Sequence, residues 1–391
     1  MRYLVLIVIY LTFISLGLPD SVFGAAWPVI HVDFGVDDSL GSIYTMITGV
    51  SGALAGFFAG RLISRFGTYA VTAVSVALTA LGLIAISFTT GYWQMLILAL
   101  VMGLGSGAID TGLNTFVSQN YRATHMNLLH CFWGVGVTLS PMIMSAFLSD
   151  GDWHGGYRVL GYIQLAIFAV VALSMPLWKK MSSAALGAAE EGPREKFSLS
   201  AVLRKKGVVL SILSLGAYCA AEFTLGTWGG SYLVNAEGFG EDTAALIVSA
   251  FYGGIMLGRL LAGIAAVKLQ DKTLIRIGLI IAIPGAVLLA IPAGVPGIVT
   301  SFVLMGTGMG PIFPSVLHTV PSRFGADAAA DITGYHMGGA YVVGFAVQLS
   351  FGFLAGRVGY DFMCYMLIVI FVITLTLTEI VRRKTRPETA A

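Results

Sequence analysis

Long apolar runs separated by short polar breaks make up almost the whole chain. Twelve runs reach the length of about 20 residues that a membrane-spanning helix needs. They cover approximately residues 3–30, 40–63, 69–88, 92–118, 125–148, 158–178, 208–234, 243–267, 274–292, 296–320, 328–354 and 359–380. The one long polar stretch, Lys179 to Lys206, falls in the middle of the chain. The pattern predicts an all-α membrane protein with twelve transmembrane helices.

The sequences on either side of the polar stretch resemble each other. Met102-Gly103-x-Gly105-x-Gly107 in the fourth span matches Met305-Gly306-x-Gly308-x-Gly310 in the tenth, at an offset of about 203 residues. Gly156-Tyr157 in the sixth span recurs as Gly359-Tyr360 in the twelfth. The repeat predicts two pseudo-symmetric six-helix bundles. The predicted divisions are a bundle at 1–179, a cytoplasmic linker at 180–206, a bundle at 207–381 and a basic cytoplasmic tail at 382–391.

Charges are few, and their positions predict an orientation. Only 11% of residues are charged, compared with about a quarter in soluble proteins, and mean hydropathy is +0.86. If the spans alternate, nearly all Lys and Arg fall on one side together with both termini, which predicts cytoplasmic termini in a bacterial inner membrane. The N-terminal run resembles a signal peptide, but its counterpart in mid-chain predicts that it is retained as the first span.

No pattern of catalytic, metal-binding or nucleic-acid-binding chemistry stands out. The net charge is +2 without a basic stripe, so no nucleic-acid partner is expected. The three cysteines lie in apolar runs without metal or redox spacing, so no disulfide framework is expected. Zinc-ligand spacing, a nucleophile elbow and a phosphate-binding loop are all missing from the sequence. We therefore expect neither an enzyme nor a resident cofactor.

Four charged residues stand alone in separate apolar spans: Asp20, Asp110, Glu222 and Arg259. A charge at the centre of a bilayer costs roughly 2.5 to 3.5 kcal/mol on insertion scales, and such residues usually have a function. Asn114 lies one helical turn after Asp110 on the same face. This pair is interpreted as a protonatable group with a hydrogen-bonding companion, and the alternative is a structural hydrogen bond between helices.

Asp20 and Trp27 share a face of the first span. A carboxylate that accepts hydroxyl hydrogen bonds, beside an indole that stacks on C–H groups, suits a polyhydroxylated ligand. The alternative places Asp20 near the outer interface, in contact with water. The fifth span adds Asn127 and His130, which line one helix face with Trp133, as further candidate contacts, although a lone membrane histidine is more often a packing residue.

Glu222 and Trp228 form the corresponding pair in the seventh span. They are predicted to contact substrate from the second half, together with Gln348 in the eleventh span. An ion pair between Glu222 and Arg259 is an equally good interpretation of the same residues. The sequence leaves this choice open.

The end of the second span resembles a loop motif of the major facilitator superfamily. That motif is a glycine, three residues, an acid, a base, one residue and a glycine, and Gly60, Arg65 and Gly67 match it here. Ser64 stands in place of the acid. The resemblance implies a gating role for the three matching residues, and Arg259 is assigned with them to a structural or gating role. In this superfamily the substrate site lies at the midplane between two six-helix repeats.

Further motifs are similar to the fucose–galactose–glucose:proton symporter branch of that superfamily. They are Ile109-Asp110-Thr111-x-x-Asn114, the Asn127-Leu128 opening of the fifth span, Pro311-Ile-Phe-Pro314-Ser315, and an acid in the first span, Asp20. The resemblance implies that Asp110 couples transport to protons. It implies that Asp20 takes part in protonation and sugar binding, that Asn127 contacts substrate, and that the protein is a monomer.

The function predicted from the sequence is secondary active transport of a small polar solute, a sugar, by proton-coupled symport with alternating access. A proton-coupled drug or metabolite antiporter has the same fold, and the Gly136 to Pro141 region lacks the antiporter pattern of Gly-Pro followed by a glycine pair. A non-transporting receptor is a second alternative, disfavoured because the chain has almost no extramembrane mass. Proton and sodium coupling are not distinguished by the sequence.

Overall fold

The computed structural model describes residues 2–121, 123–185, 199–325 and 329–385. Within these ranges the regular secondary structure is helical, without strands. The helices are α1 (Arg2–Asp33), α2 (Gly41–Phe66), α3 (Thr68–Ile86), α4 (Tyr92–Asn120), α5 (Ala123–Leu148), α6 (Trp153–Ala185), α7 (Leu199–Arg204), α8 (Val208–Asn235), α9 (Glu241–Ala265), α10 (Asp271–Leu289), α11 (Gly294–Met309), α12 (Ile312–His318), α13 (Val320–Phe324), α14 (Ala329–Val358) and α15 (Met363–Lys384). A short 3₁₀ turn, Asp38–Leu40, precedes α2.

The described residues contain twelve helical segments long and apolar enough to cross a membrane, which confirms the predicted fold class. The sixth begins at Trp153, five residues earlier than predicted. The tenth is interrupted between α11 and α12 at Gly310 and Pro311, because proline lacks the backbone N–H that continues a helical hydrogen-bond ladder. Residues 186–198 of the predicted linker and 386–391 of the predicted tail lie outside the described ranges.

By their contacts, the residues form two compact units. The first unit comprises Met1–Glu190, Gly226–Ser249 and Gly352–Val358. The second unit comprises Glu191–Leu225, Ala250–Phe351 and Gly359–Ala391. The division into bundles at 1–179 and 207–381 stays a prediction.

In the first unit α4 packs directly on the backbone of α2. A Cβ atom added to Gly103 would lie 2.1 Å from the carbonyl oxygen of Thr48, and one added to Gly107 would lie 2.0 Å from that of Gly52. Such distances leave no room for any side chain, so glycine is required for this close approach. The glycine run predicted to serve helix packing does so.

The second unit repeats this contact between α11 and α9. A Cβ added to Gly306 would lie 2.1 Å from the carbonyl oxygen of Phe251, and one added to Gly258 would lie 2.1 Å from that of Thr307. Gly103 and Gly306 are matched residues of the internal repeat, and each approaches the backbone of its neighbouring helix. The repeat is therefore visible in the packing as well as in the sequence.

One end of the first unit is held by hydrogen bonds from aromatic side chains. Trp27 donates its indole N–H to the carbonyl oxygen of Asp38 at 2.8 Å, and Tyr92 donates its hydroxyl to Leu40 at 2.7 Å. Asp37 caps the 3₁₀ turn, and hydrogen bonds from the Ser39 hydroxyl and backbone N–H keep the pKa of Asp37 below its usual value. These bonds fix the short connection between α1 and α2.

Candidate functional site

Asp20 is an exposed carboxylate in the middle of a membrane-spanning helix. It lies well inside α1, and Trp133 of α5 donates its indole N–H to Asp20 Oδ2 at 2.8 Å. Facing hydrocarbon, a carboxylate at this depth would be strongly unfavourable. The exposed face of Asp20 is therefore more stable beside water or polar groups than beside hydrocarbon.

Asp20 and Trp133 meet because α1 and α5 cross in backbone contact. A Cβ added to Gly17 would lie 2.4 Å from the carbonyl oxygen of Trp133, and one added to Gly136 would lie 2.2 Å from that of Ile14. One turn further along α1, Ser21 donates its hydroxyl to the carbonyl oxygen of Val137 at 2.7 Å. This crossing fixes the register that sets the indole opposite the carboxylate.

Aromatic residues continue along the same helix pair, which we call the α1–α5 seam. Tyr10 stacks on Phe132 with ring centroids 4.5 Å apart, and its hydroxyl is 2.8 Å from His125 Nδ1. Phe13 meets the ring of His130 edge-on at 6.0 Å. The seam thus combines one carboxylate with a row of aromatic and hydrogen-bonding groups, a composition common in small-molecule sites.

Asp110 and Asn114 form the predicted pair on α4. The Asn114 amide donates to Asp110 Oδ1 at 2.8 Å and to the Asp110 carbonyl oxygen at 2.9 Å. Both side chains are partly exposed. The neighbouring glycines hold this stretch of α4 against α2, so the carboxylate is carried on a closely packed backbone. The proton-coupling role of Asp110 stays a prediction.

Trp27 has a hydrogen-bond partner within the protein, and its substrate-contacting role stays a prediction. The Trp27 side chain is fully buried, and its indole N–H donates to the carbonyl oxygen of Asp38. The indole beside Asp20 belongs to Trp133. Trp228 is also fully buried and lies against Gly352, where an added Cβ would be 2.2 Å from the indole ring.

Candidate residues of the fifth span are only partly described. His130 is partly exposed and packs on Phe13. The side chain of Asn127 lies outside the described part of the structure, and its substrate-contacting role stays a prediction. The sequence patterns did not indicate His125 or Tyr10. His125 lies within about two turns of His130 on α5, and Tyr10 lies about three turns before Asp20 on α1.

In the second unit, the predicted candidates gather near Tyr218. This buried phenol of α8 interacts electrostatically with Glu222, one turn later, and with Arg259 of α9. Gln348 of α14 is buried. The arrangement places the acid and the arginine around one phenol, and both substrate contact and structural pairing remain interpretations of Glu222.

His336 of α14 is a buried histidine with a hydrogen-bond partner at each ring nitrogen. Its Nδ1 lies 2.9 Å from the carbonyl oxygen of Ile332, and its Nε2 lies 2.8 Å from the Ser211 hydroxyl. A carbonyl oxygen only accepts, so Nδ1 carries the proton and Nε2 accepts from the serine. Both ring nitrogens are thus hydrogen-bonded within the protein, which fits a structural role for this histidine.

The loop motif at the end of α2 has open surroundings. Gly67 has a φ of 82°, in the left-handed region that favours glycine. Its N–H donates to the carbonyl oxygen of Ile63, which ends α2. A Cβ added to Gly60 would meet nothing within 4 Å. The Arg65 guanidinium lies over the Phe66 ring at 5.4 Å. Ser64, in place of the acid, bonds to the carbonyl oxygen of Arg61 within α2.

The chain is similar to known proteins of one family. The model of the Major Facilitator Superfamily matches residues 9–348. The glucose/mannose transporter GlcP of Bacillus subtilis is 20% identical over 67% of this chain and 66% of its own length. A sodium-dependent glucose transporter of Danio rerio is 23% identical over 99% of this chain and 70% of its own length. The matched region thus spans about two thirds of these relatives.

Solved structures agree on the fold. The crystal structure of a mutant of the nucleoside transporter NupG is similar with a TM-score of 0.74, covering 97% of this chain and 99% of that chain at 14% identity. At that identity the likeness concerns the fold alone. With twelve candidate spans, glycine crossings repeated in both units and a family match over most of its length, the chain belongs to the major facilitator superfamily.

Proposed function

We propose that this protein is a secondary active transporter that carries a sugar by proton-coupled symport with alternating access. The observation that supports it most is the exposed mid-span carboxylate of Asp20, held beside the indole of Trp133. A carboxylate accepts hydrogen bonds from vicinal hydroxyls, and an aromatic ring offers an apolar face to C–H groups. A polyhydroxylated solute presents both kinds of surface.

The proposed coupling group is Asp110. It is the only charged residue of α4, and its companion Asn114 donates to it from the same helix. Protonation removes the charge of Asp110 and the cost of holding it within the membrane. Proton loading would thereby favour the conformational change that carries solute, and deprotonation would complete the cycle. Asp20 shares the coupling task in this proposal.

The relatives support a sugar as the solute class. One similar protein is named as a glucose/mannose transporter and another as a sodium-dependent glucose transporter. The second name makes sodium the main competing coupling ion. The aromatic groups of the α1–α5 seam also suit a hexose or a related polyol.

Transport by purified protein in liposomes tests the proposal. A panel of labelled hexoses, pentoses and polyols is offered under an inward proton gradient, an inward sodium gradient, or neither. We expect concentrative uptake of at least one sugar under the proton gradient alone. Uptake driven only by sodium would contradict the coupling, and sugar-independent export of lipophilic cations would indicate the antiporter.

Replacing Asp20 by asparagine is expected to raise the KM for the transported sugar at least about tenfold, because hydrogen bonds to a charged group are worth roughly 1.5 to 3 kcal/mol. Trp133→Phe removes the indole N–H and part of the aromatic surface but leaves the Asp20 carboxylate in place, and it should have a smaller effect. Asp150→Asn removes an exposed acid after α5 and serves as the control. Initial-rate measurements in liposomes give the KM values. An unchanged KM in Asp20→Asn would remove this carboxylate from the site.

A further inference from the structure

A basic cleft lies in the second unit where the start of α10 meets the end of α15. It is a small depression that is partly open to solvent. Its lining residues are Lys272, Ile275, Arg276, Arg323, Thr378, Glu379 and Arg382. Four of these side chains are cations and one is an acid, so the lining carries a net charge of +3. We refer to it as the basic cleft.

Two of the cations share the single acid. Arg276 donates to Glu379 through Nε and, at 2.6 Å, through Nη2, which forms a bidentate pair. Arg382 donates to Glu379 Oε2 at 2.9 Å from the same helix. One carboxylate cannot neutralise two guanidinium groups, so this network alone leaves an excess positive charge.

The other two cations make no such bonds. Among the described residues, the side chains of Lys272 and Arg323 form neither a hydrogen bond nor an ion pair, and Arg323 is partly buried. Burial lowers the pKa of the Arg323 guanidinium below its usual value, which the nearby carboxylate of Asp271 partly opposes. Burying a charge is unfavourable unless an opposite charge accompanies it. Asp271 and Glu379 offset part of this cost for Arg323, and an anion in the basic cleft would offset more of it.

The position of the basic cleft points to a lipid as the source of the anion. Two candidate spans, Asp271–Leu289 and Met363–Lys384, end beside it, so it lies at the level of the membrane interface. Ile280, one turn beyond Arg276 on the same face of α10, is 62% exposed. Val372, two turns before Glu379 on α15, is 46% exposed. Apolar surface thus continues from the basic cleft toward the membrane interior.

We propose that the basic cleft binds the phosphate of an anionic phospholipid, with Lys272 and Arg323 as direct ligands and the acyl chains along Ile280 and Val372. Guanidinium and ammonium groups are the usual partners of phosphate, and basic pockets between helix ends bind acidic headgroups. Glu379 holds the other two arginines in place and limits the positive charge of the site.

Lipid binding to the purified full-length protein tests this proposal. Phosphatidylglycerol or phosphatidylcholine is titrated in mixed micelles, and bound lipid is counted by native mass spectrometry. We expect preferential binding of phosphatidylglycerol. Lys272→Gln and Arg323→Gln should each weaken it about fivefold, and the double variant about 25-fold, since one interfacial cation contributes about 1 kcal/mol. Lys268→Gln, an exposed cation just before α10 that does not line the cleft, should bind as the unmodified protein does.

A variant that is expected to strengthen lipid binding separates an effect on the binding site from a loss of folded structure. Glu379→Gln removes the competing carboxylate and should strengthen phosphatidylglycerol binding, whereas a purely structural cluster would lose it. Only monodisperse variants are compared, and Lys272→Gln changes an exposed side chain. Equal binding of both lipids, unchanged binding in the double variant, or weaker binding in Glu379→Gln would overturn the proposal. Displacement of lipid by equimolar inorganic phosphate would overturn it in favour of a free-anion site.

Discussion

Replacing Asp110 by asparagine is expected to abolish concentrative sugar uptake while leaving counterflow intact. Asparagine matches the size of the carboxylate and still accepts the hydrogen bond from the Asn114 amide, but it cannot bind or release a proton. The variant should therefore behave like a permanently neutral Asp110, able to change conformation with solute bound. Accumulation under a proton gradient should fall to the level of simple equilibration, a loss of essentially all coupling.

The measurement pairs two assays on the same liposomes, proton-driven uptake and exchange of labelled for unlabelled sugar without a gradient. Asp361→Asn removes an exposed acid from the connection before α15 and should retain both activities. If Asp110→Asn loses exchange as well as accumulation, its carboxylate serves folding or binding instead. If it keeps both, the coupling proton is carried elsewhere, and Asp20 becomes the first residue to examine.

Gly107→Val is expected to be among the most destabilising single substitutions in the first unit. The added Cβ would lie 2.0 Å from the carbonyl oxygen of Gly52, and backbone cannot rotate away as a side chain can. The helices α2 and α4 would have to separate, at a cost of about 3 kcal/mol or more, the upper range for overpacking. We expect this destabilisation to appear as a large fall in the thermal unfolding midpoint, or as a loss of monodisperse protein on extraction from the membrane.

Gly334→Val on α14 is the matched control. It makes the same change within a helix, and a Cβ at that position meets nothing within 4 Å. Its unfolding midpoint should stay close to that of the unmodified protein, since only the helix-propensity difference between glycine and valine applies. Equal midpoints for the two variants would show that the α2–α4 contact is looser than the structure indicates.

Features set by local sequence were predictable. Hydropathy alone placed the twelve spans, because spanning length and apolar composition are properties of each segment. The glycine run on the fourth span predicted close helix packing, and Gly103 and Gly107 provide it. The spacing of Asp110 and Asn114 likewise predicted a shared helix face, and the hydrogen bond between them follows from that spacing.

Contacts between distant helices were not predictable in the same way. The partner of Asp20 is Trp133, a residue 113 positions away, and the pair depends on the register of the α1–α5 crossing. From the spacing on one helix, Asp20 and Trp27 were predicted to face a ligand together. The indole N–H of Trp27 donates to the carbonyl oxygen of Asp38, because the 3₁₀ turn brings that carbonyl to it. The sharing of Glu379 by Arg276 and Arg382 also needs two helices to be aligned.

The glycine crossings have a consequence for how such a chain can diversify. Gly103 and Gly306 are matched by the internal repeat. Each lies against the backbone of a neighbouring helix with no room for a Cβ atom. The requirement for glycine at these positions comes from the spacing of the main chains and is the same in both halves. One turn or two further along, Asp110 and Phe313 are matched by the same repeat yet differ completely in chemistry. The two halves thus share the glycine contacts that set the helix spacing, while a charged side chain occurs at the matched position in only one of them.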